Sequence, residues 1–128
     1  MSASPLQLPL LVIEDETSVQ SFLRAALERN GFTLEIAASG AEGLELLRQK
    51  QFSAVISDMR TPGGITGGDV HRWLCEHRPE LQRRILFITG DIVNEETSRI
   101  LVQTGAPVIE KPFRVLDLIQ AVRKLLAD

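Results

Sequence analysis

Tyrosine is absent from this 128-residue chain, aromatic residues make up only 5% of it, and there is one cysteine, Cys75. A single cysteine excludes an intramolecular disulfide and a cysteine-rich metal site, and it fits a reducing compartment. No apolar run approaches the roughly 20 residues needed to span a bilayer. The start, Met1-Ser2-Ala3-Ser4-Pro5, lacks the basic region that opens a signal peptide. Positive charge is not in excess either. The net charge of −3 argues against a nucleic-acid surface, because phosphate backbones are held by clustered Lys and Arg. The expectation from these absences is a soluble, cytoplasmic unit.

What is present is the mixture of a globular protein, 44% hydrophobic and 24% charged, in a length that suits one core rather than two. Residues 1–7 read as an N-terminal extension and residues 8–128 as the single domain. Residues 8–13 form a continuous apolar run, as expected of a strand covered on both faces. Thr17 or Ser18 is placed to cap a helix with Val19, Phe22, Leu23, Ala26 and Leu27 on one side, and Asn30-Gly31 stops it. Strands follow at residues 32–37, 52–58, 84–89 and 108–110. Between and after them, helices open at Ser39-Gly40 and run over residues 68–77, 95–103 and 115–126. Alternation of strand and helix predicts an α/β fold, a parallel sheet with helices on both faces and right-handed crossovers.

In such a sheet, chemistry collects beyond the carboxyl ends of the strands. Those ends bring Glu14 and Asp15 after the first strand, Asp58 at the end of the third, Thr89 at the end of the fourth and Lys111 after the fifth. Several carboxylates in one place call for a cation. A hard divalent ion, Mg²⁺ by preference, suits carboxylate and carbonyl oxygens. Metal, ammonium and hydroxyl around one acid suit phosphoryl transfer, with the carboxylate as nucleophile.

The chain resembles the response-regulator receiver domains of two-component signalling. Val12-Ile13-Glu14-Asp15-Glu16, Ile56-Ser57-Asp58-Met59-Arg60-Thr61-Pro62-Gly63, Phe87-Ile88-Thr89-Gly90 and Glu110-Lys111-Pro112-Phe113 carry the likeness, in this order. The resemblance implies a flavodoxin-like (βα)5 sandwich with strand order 2-1-3-4-5. It also implies roles. Asp58 is the phosphoacceptor, Glu14 and Asp15 with Asp58 and the backbone carbonyl of Arg60 hold Mg²⁺, Thr89 is the switch hydroxyl, and Lys111 contacts the phosphoryl group. The implied partner is a histidine kinase or a histidine phosphotransfer domain, and the signalling face joins the fourth helix, fifth strand and fifth helix, where a homodimer could also form. The stretch from residue 89 to residue 113 looks most like receivers fused to hybrid sensor histidine kinases.

Two features depart from that pattern. The switch position three residues before the lysine holds Val108 where the family places an aromatic ring, so a signal read from that ring needs another route. The loop over residues 61–68 is rich in glycine and about one residue longer than usual, which predicts left-handed turn geometry. Arg60 and Asp91 each lie two residues past a site residue. They are expected to flank the mouth of the site and pair across it, slowing hydrolysis of the phosphorylated form. His71, His77 and Trp73 read as structural residues and Cys75 as a buried or half-buried one. Two rival readings share the same residues: a Mg²⁺-dependent phosphatase, which would want a cap that this chain has no insertion to build, and a pseudo-receiver that only docks. The intact acid, Thr and Lys set argues against the docking-only reading, so the expectation is a phosphorylated signalling domain and not an enzyme acting on separate substrates.

Overall fold

The computed structural model describes residues 8–127, so the expected extension over residues 1–7 lies outside the described residues. Five strands, β1 (Leu10–Ile13), β2 (Leu34–Ala37), β3 (Ala54–Asp58), β4 (Ile85–Thr89) and β5 (Val108–Glu110), alternate with five helices. These are α1 (Thr17–Arg29), α2 (Gly40–Gln49), α3 (Gly67–His77), α4 (Glu95–Thr104) and α5 (Val115–Ala127). Every strand pair is parallel, in the order β2-β1-β3-β4-β5, so the expected flavodoxin-like sheet is the one that forms.

Neighbouring residues of a strand point to opposite faces, and the core divides accordingly. Leu10, Val12, Ala54, Ile56, Leu86 and Ile88 pack with Leu23 and Leu27 of α1 and Leu118 and Val122 of α5. Leu11, Ile13, Val55, Ile85 and Phe87 pack on the other face with Leu44 and Leu47 of α2 and Val70 and Leu74 of α3. All four residues of β1 are buried. Each such aliphatic side chain contributes about 1.5–3 kcal/mol relative to exposure.

Four strands begin later than the apolar runs suggest, and before three of them, β1, β2 and β4, the backbone offers no amide to the ladder. The Phe32 N–H returns to Leu27 O at the end of α1, behind Gly31 at φ +91°. The Arg84 N–H closes onto Leu81 O of a 3-10 turn, and Pro9 has no N–H to give a ladder. The cap of α1 also differs: Glu16 is the N-cap residue and makes no side-chain cap bond, while neither Thr17 nor Ser18 serves. Ser39 caps α2 by accepting the Glu42 N–H at 3.1 Å.

The start of α3 is more tightly built. Thr66 accepts the Asp69 N–H at 3.2 Å while the Asp69 carboxylate accepts the Thr66 N–H at 2.9 Å, a reciprocal capping box. Gly63 and Gly64 of the preceding loop have φ +97° and +82°, the left-handed geometry expected there. Gly67 is required for closeness, since a Cβ on it would lie 2.7 Å from the Phe87 ring. Gly67→Ala is therefore predicted to cost about 1–3 kcal/mol by overpacking. Urea unfolding checks this, and an unchanged midpoint contradicts it.

The sequence reading of Cys75 needs correction. Cys75 is exposed, because α3 turns Val70 and Leu74 into the core and leaves the next position outside. Its Sγ lies 3.7 Å from His71 Nδ1. Trp73 stacks on His77 at 4.6 Å between ring centroids and packs partly buried against the second core face.

Candidate functional site

Register brings the strand ends together. Asp58 stands opposite Ile88, one residue before Thr89, and Thr89 stands opposite Glu110, one before Lys111. The Lys111 N–H bonds Thr89 O at 2.7 Å, and the Glu14 N–H bonds Ala37 O at 2.9 Å. Gln20 of α1 reaches back to donate its side-chain amide to Glu14 O at 2.6 Å, tying the first loop to the helix behind it.

Lys111 is the hub. Its Nζ lies 2.9 Å from Glu14 Oε1, 2.9 Å from Asp58 Oδ2 and 3.4 Å from Glu16 Oε1. Three carboxylates therefore share one ammonium and leave a local charge of −2. Burial alone works against a charged Lys111, but hydrogen bonds to Asp58 and Glu14 and their negative charges outweigh it and raise its pKa above the ordinary lysine value. Glu14 shows the opposite tension. Burial, and more weakly repulsion from Asp58, raise its carboxyl pKa above the usual glutamate value, although the Glu16 N–H and Lys111 pull the other way.

One oxygen from each of Glu14, Glu16 and Asp58 lies within 4.8 Å of the others, a compact all-oxygen set of the kind a hard divalent ion takes. Asp15 is exposed and outside this group, and Glu16, exposed as well, adds an oxygen to it. Glu16 is extended, at φ −81°, ψ 119°, and its N–H donates to Glu14 Oε2 at 3.0 Å, which draws the two acids together. The unbroken acidic run Glu14-Asp15-Glu16 is the signal by which Glu16 could have been found. The Arg60 N–H donates to Asp58 Oδ1 at 3.3 Å, and the Arg60 carbonyl accepts no hydrogen bond among the described residues.

Thr89 is buried, and its Oγ1 accepts the Asp91 N–H at 3.2 Å; its own O–H donates to no group among the described residues. Val108 is half-buried, opposite Phe87 and against the second core face. The expected Arg60–Asp91 pair is not formed. Arg60 donates to Asn94 Oδ1 at 3.0 Å instead, and Asn94, the N-cap residue of α4, carries no charge by which the sequence would single it out.

The raised carboxyl of Glu14 sets a pH dependence. A group whose folded pKa is above its unfolded value adds stability below the unfolded value, and that contribution is lost as pH rises through the folded one. The metal-free protein is thus predicted to gain at pH 7 from Glu14→Gln, with a shallower loss of stability on going from weakly acidic to neutral pH. Thermal unfolding across that range tests it, and a lower midpoint for the variant at pH 7 contradicts it.

The family model described as "Response regulator receiver domain" matches residues 10–123. The response regulator receiver protein CpdR of Brucella abortus is 31% identical over 117 residues, which cover 91% of this chain and 95% of CpdR. The response regulator MprA of Mycobacterium sp. strain KMS is 33% identical over 119 residues, and this chain spans half the length of that relative. The crystal structure of the receiver domain of a signal transduction histidine kinase from Syntrophus aciditrophicus superposes with TM-score 0.82 at 25% identity, covering 94% of this chain and 90% of the other.

Proposed function

This chain belongs to the response-regulator receiver domains, and on that premise we propose that it takes a phosphoryl group onto Asp58 from the phosphohistidine of a histidine kinase or histidine phosphotransfer domain. The observation that carries the reading is the convergence of Lys111 on Asp58 and Glu14, both at 2.9 Å, at the carboxyl edge of a parallel sheet. A carboxylate oxygen of Asp58 attacks phosphorus, the P–O bond forms as the P–N bond breaks, and the imidazole leaves with the electron pair. The product is an aspartyl phosphate.

The residues around Asp58 fit the charge that develops. Lys111 offers an ammonium already at bonding distance, and the Thr89 hydroxyl has a proton free to donate to a phosphoryl oxygen. Glu14, Asp15, Asp58 and the Arg60 carbonyl are the oxygen set that would hold Mg²⁺, with Glu16, whose oxygen lies within 4.8 Å of those of Glu14 and Asp58, beside them. When bound, the ion supplies neutralisation of the acids and of the phosphoryl oxygens. Return to the resting state is hydrolysis: a water oxygen attacks phosphorus, the P–O bond to Asp58 breaks, and phosphate and carboxylate are released.

The domain so read is a self-phosphorylating signalling module rather than an enzyme with a separate substrate. Phosphorylation biases an equilibrium between two arrangements of α4, β5 and α5 by making new contacts to Thr89 and Lys111. That face, with Val102 exposed on α4, is also where a homodimer would form. Similarity to a receiver of a histidine kinase supports a place in a hybrid sensor kinase. No helix among the described residues is long and apolar enough to cross a membrane, in keeping with a cytoplasmic setting.

The test is transfer from a phosphorylated histidine phosphotransfer domain. Label is expected to move to the wild type with Mg²⁺, to stall in chelator, and to be absent from Asp58→Asn. Equal labelling of Asp58→Asn defeats the proposal.

A further inference from the structure

We infer that Arg60 is a latch between the site and α4: it braces the helix N-cap through Asn94 at rest and moves to the phosphoryl group when Asp58 is modified. The inference rests on reading Asp58 as the phosphoacceptor. Asn94 Oδ1 receives two donors, the Thr97 N–H at 3.1 Å, which is the cap bond of α4, and the Arg60 guanidinium at 3.0 Å. The second bond crosses 34 residues of sequence and ties the loop after β3 to the first turn of α4. It also fixes the orientation of the Asn94 side-chain amide whose oxygen holds the cap.

The other end of Arg60 is at the reacting carboxylate. Its backbone N–H donates to Asp58 Oδ1 at 3.3 Å, whereas Asp58 Oδ2 is held by Lys111. A phosphoryl group on Asp58 adds negative charge and three acceptor oxygens two residues from the guanidinium. A guanidinium bonds phosphoryl oxygens in a charge-assisted and often bidentate way, roughly twice as strongly as it bonds a neutral amide. Asn94 offers one neutral oxygen. The guanidinium therefore transfers, Asn94 keeps only its cap bond, and the first turn of α4 opens more readily. Phosphorylation is read out in α4 by this path without an aromatic side chain at residue 108.

Arg60 acts here on the helix through Asn94, so it is a positioning residue, and the decisive readout is local. Amide exchange at Thr97 is measured in the full chain, wild type and Arg60→Ala, each unmodified and after phosphorylation, with intact mass taken on the same samples. Loss of one exposed bond corresponds to about two- to fivefold faster exchange. Arg60→Ala is expected to show that increase at rest. Phosphorylation should raise the wild type to the same level and leave Arg60→Ala unchanged. Exchange unaffected by Arg60→Ala at rest, or an undiminished rise on phosphorylating that variant, overturns the latch alone. Absence of a phosphoryl adduct in the wild type overturns the reading of Asp58, and the latch with it.

Discussion

Lys111→Ala is expected to lower the stability of the metal-free protein by about 2–4 kcal/mol and to abolish phosphoryl transfer to Asp58. Removing one member of a buried ion pair leaves its partner uncompensated, at about 3–5 kcal/mol; the Lys111 side chain is 19% exposed, which places it toward the lower part of that range. The remaining cluster of Glu14, Glu16 and Asp58 carries a charge of −3 with no cation inside it. Glu14, 1% exposed, cannot relieve this by turning to water. A divalent ion is therefore expected to restore more stability to the variant than to the wild type, since Lys111 no longer competes for the same oxygens. Urea unfolding with and without Mg²⁺ measures both effects. A loss below 0.5 kcal/mol, a threshold of about the size of an exposed pair, would show that Lys111 does not hold the acids together.

Phe87→Ala is expected to cost about 3–5 kcal/mol, a large share of the roughly 5–15 kcal/mol that holds a domain folded. The Phe87 ring is fully buried. It supports Gly67 at the start of α3, and its strand position is opposite Ser57 of β3 and Val108 of β5. Deleting the ring opens a cavity two residues from Thr89, beneath the loop that carries Arg60. Phe87→Leu keeps most of the apolar volume and is expected to cost only about 1 kcal/mol, with phosphorylation retained. Chemical unfolding of both variants decides this: similar losses would mean that packing around this ring is not what holds the β4–α3 contact.

The sheet was legible because buried parallel strands are continuous apolar runs: Leu10, Leu11, Val12 and Ile13 have no polar face to misread. Their first residues were not, because Phe32, Arg84 and Pro9 differ in where their backbone groups go, and a hydrophobic pattern is silent about that. The glycine-rich loop was legible for a local reason, as φ above zero at Gly63 and Gly64 is set by the residue type.

The site divides along the same line. Asp58, Thr89, Glu14 and Lys111 could be placed at one edge because topology alone puts strand ends there. Which acid after β1 reaches Lys111 depends on the local path of residues 14–16, which brings Glu16 to 3.4 Å from the ammonium and leaves Asp15 exposed. The partner of Arg60 was mistaken because opposite charge favours Asp91 on paper. In the fold the Asp91 N–H turns onto Thr89 Oγ1, while the cap of α4 presents Asn94 Oδ1 to the guanidinium. Only the tertiary path of the loop decides between them.

The most direct test of the central claim is the intact mass of the protein after incubation with Mg²⁺ and acetyl phosphate. The wild type should gain the mass of one phosphoryl group, and Asp58→Asn should gain none. A wild type that stays unmodified, or an Asp58→Asn variant that is modified to the same extent, would contradict the account.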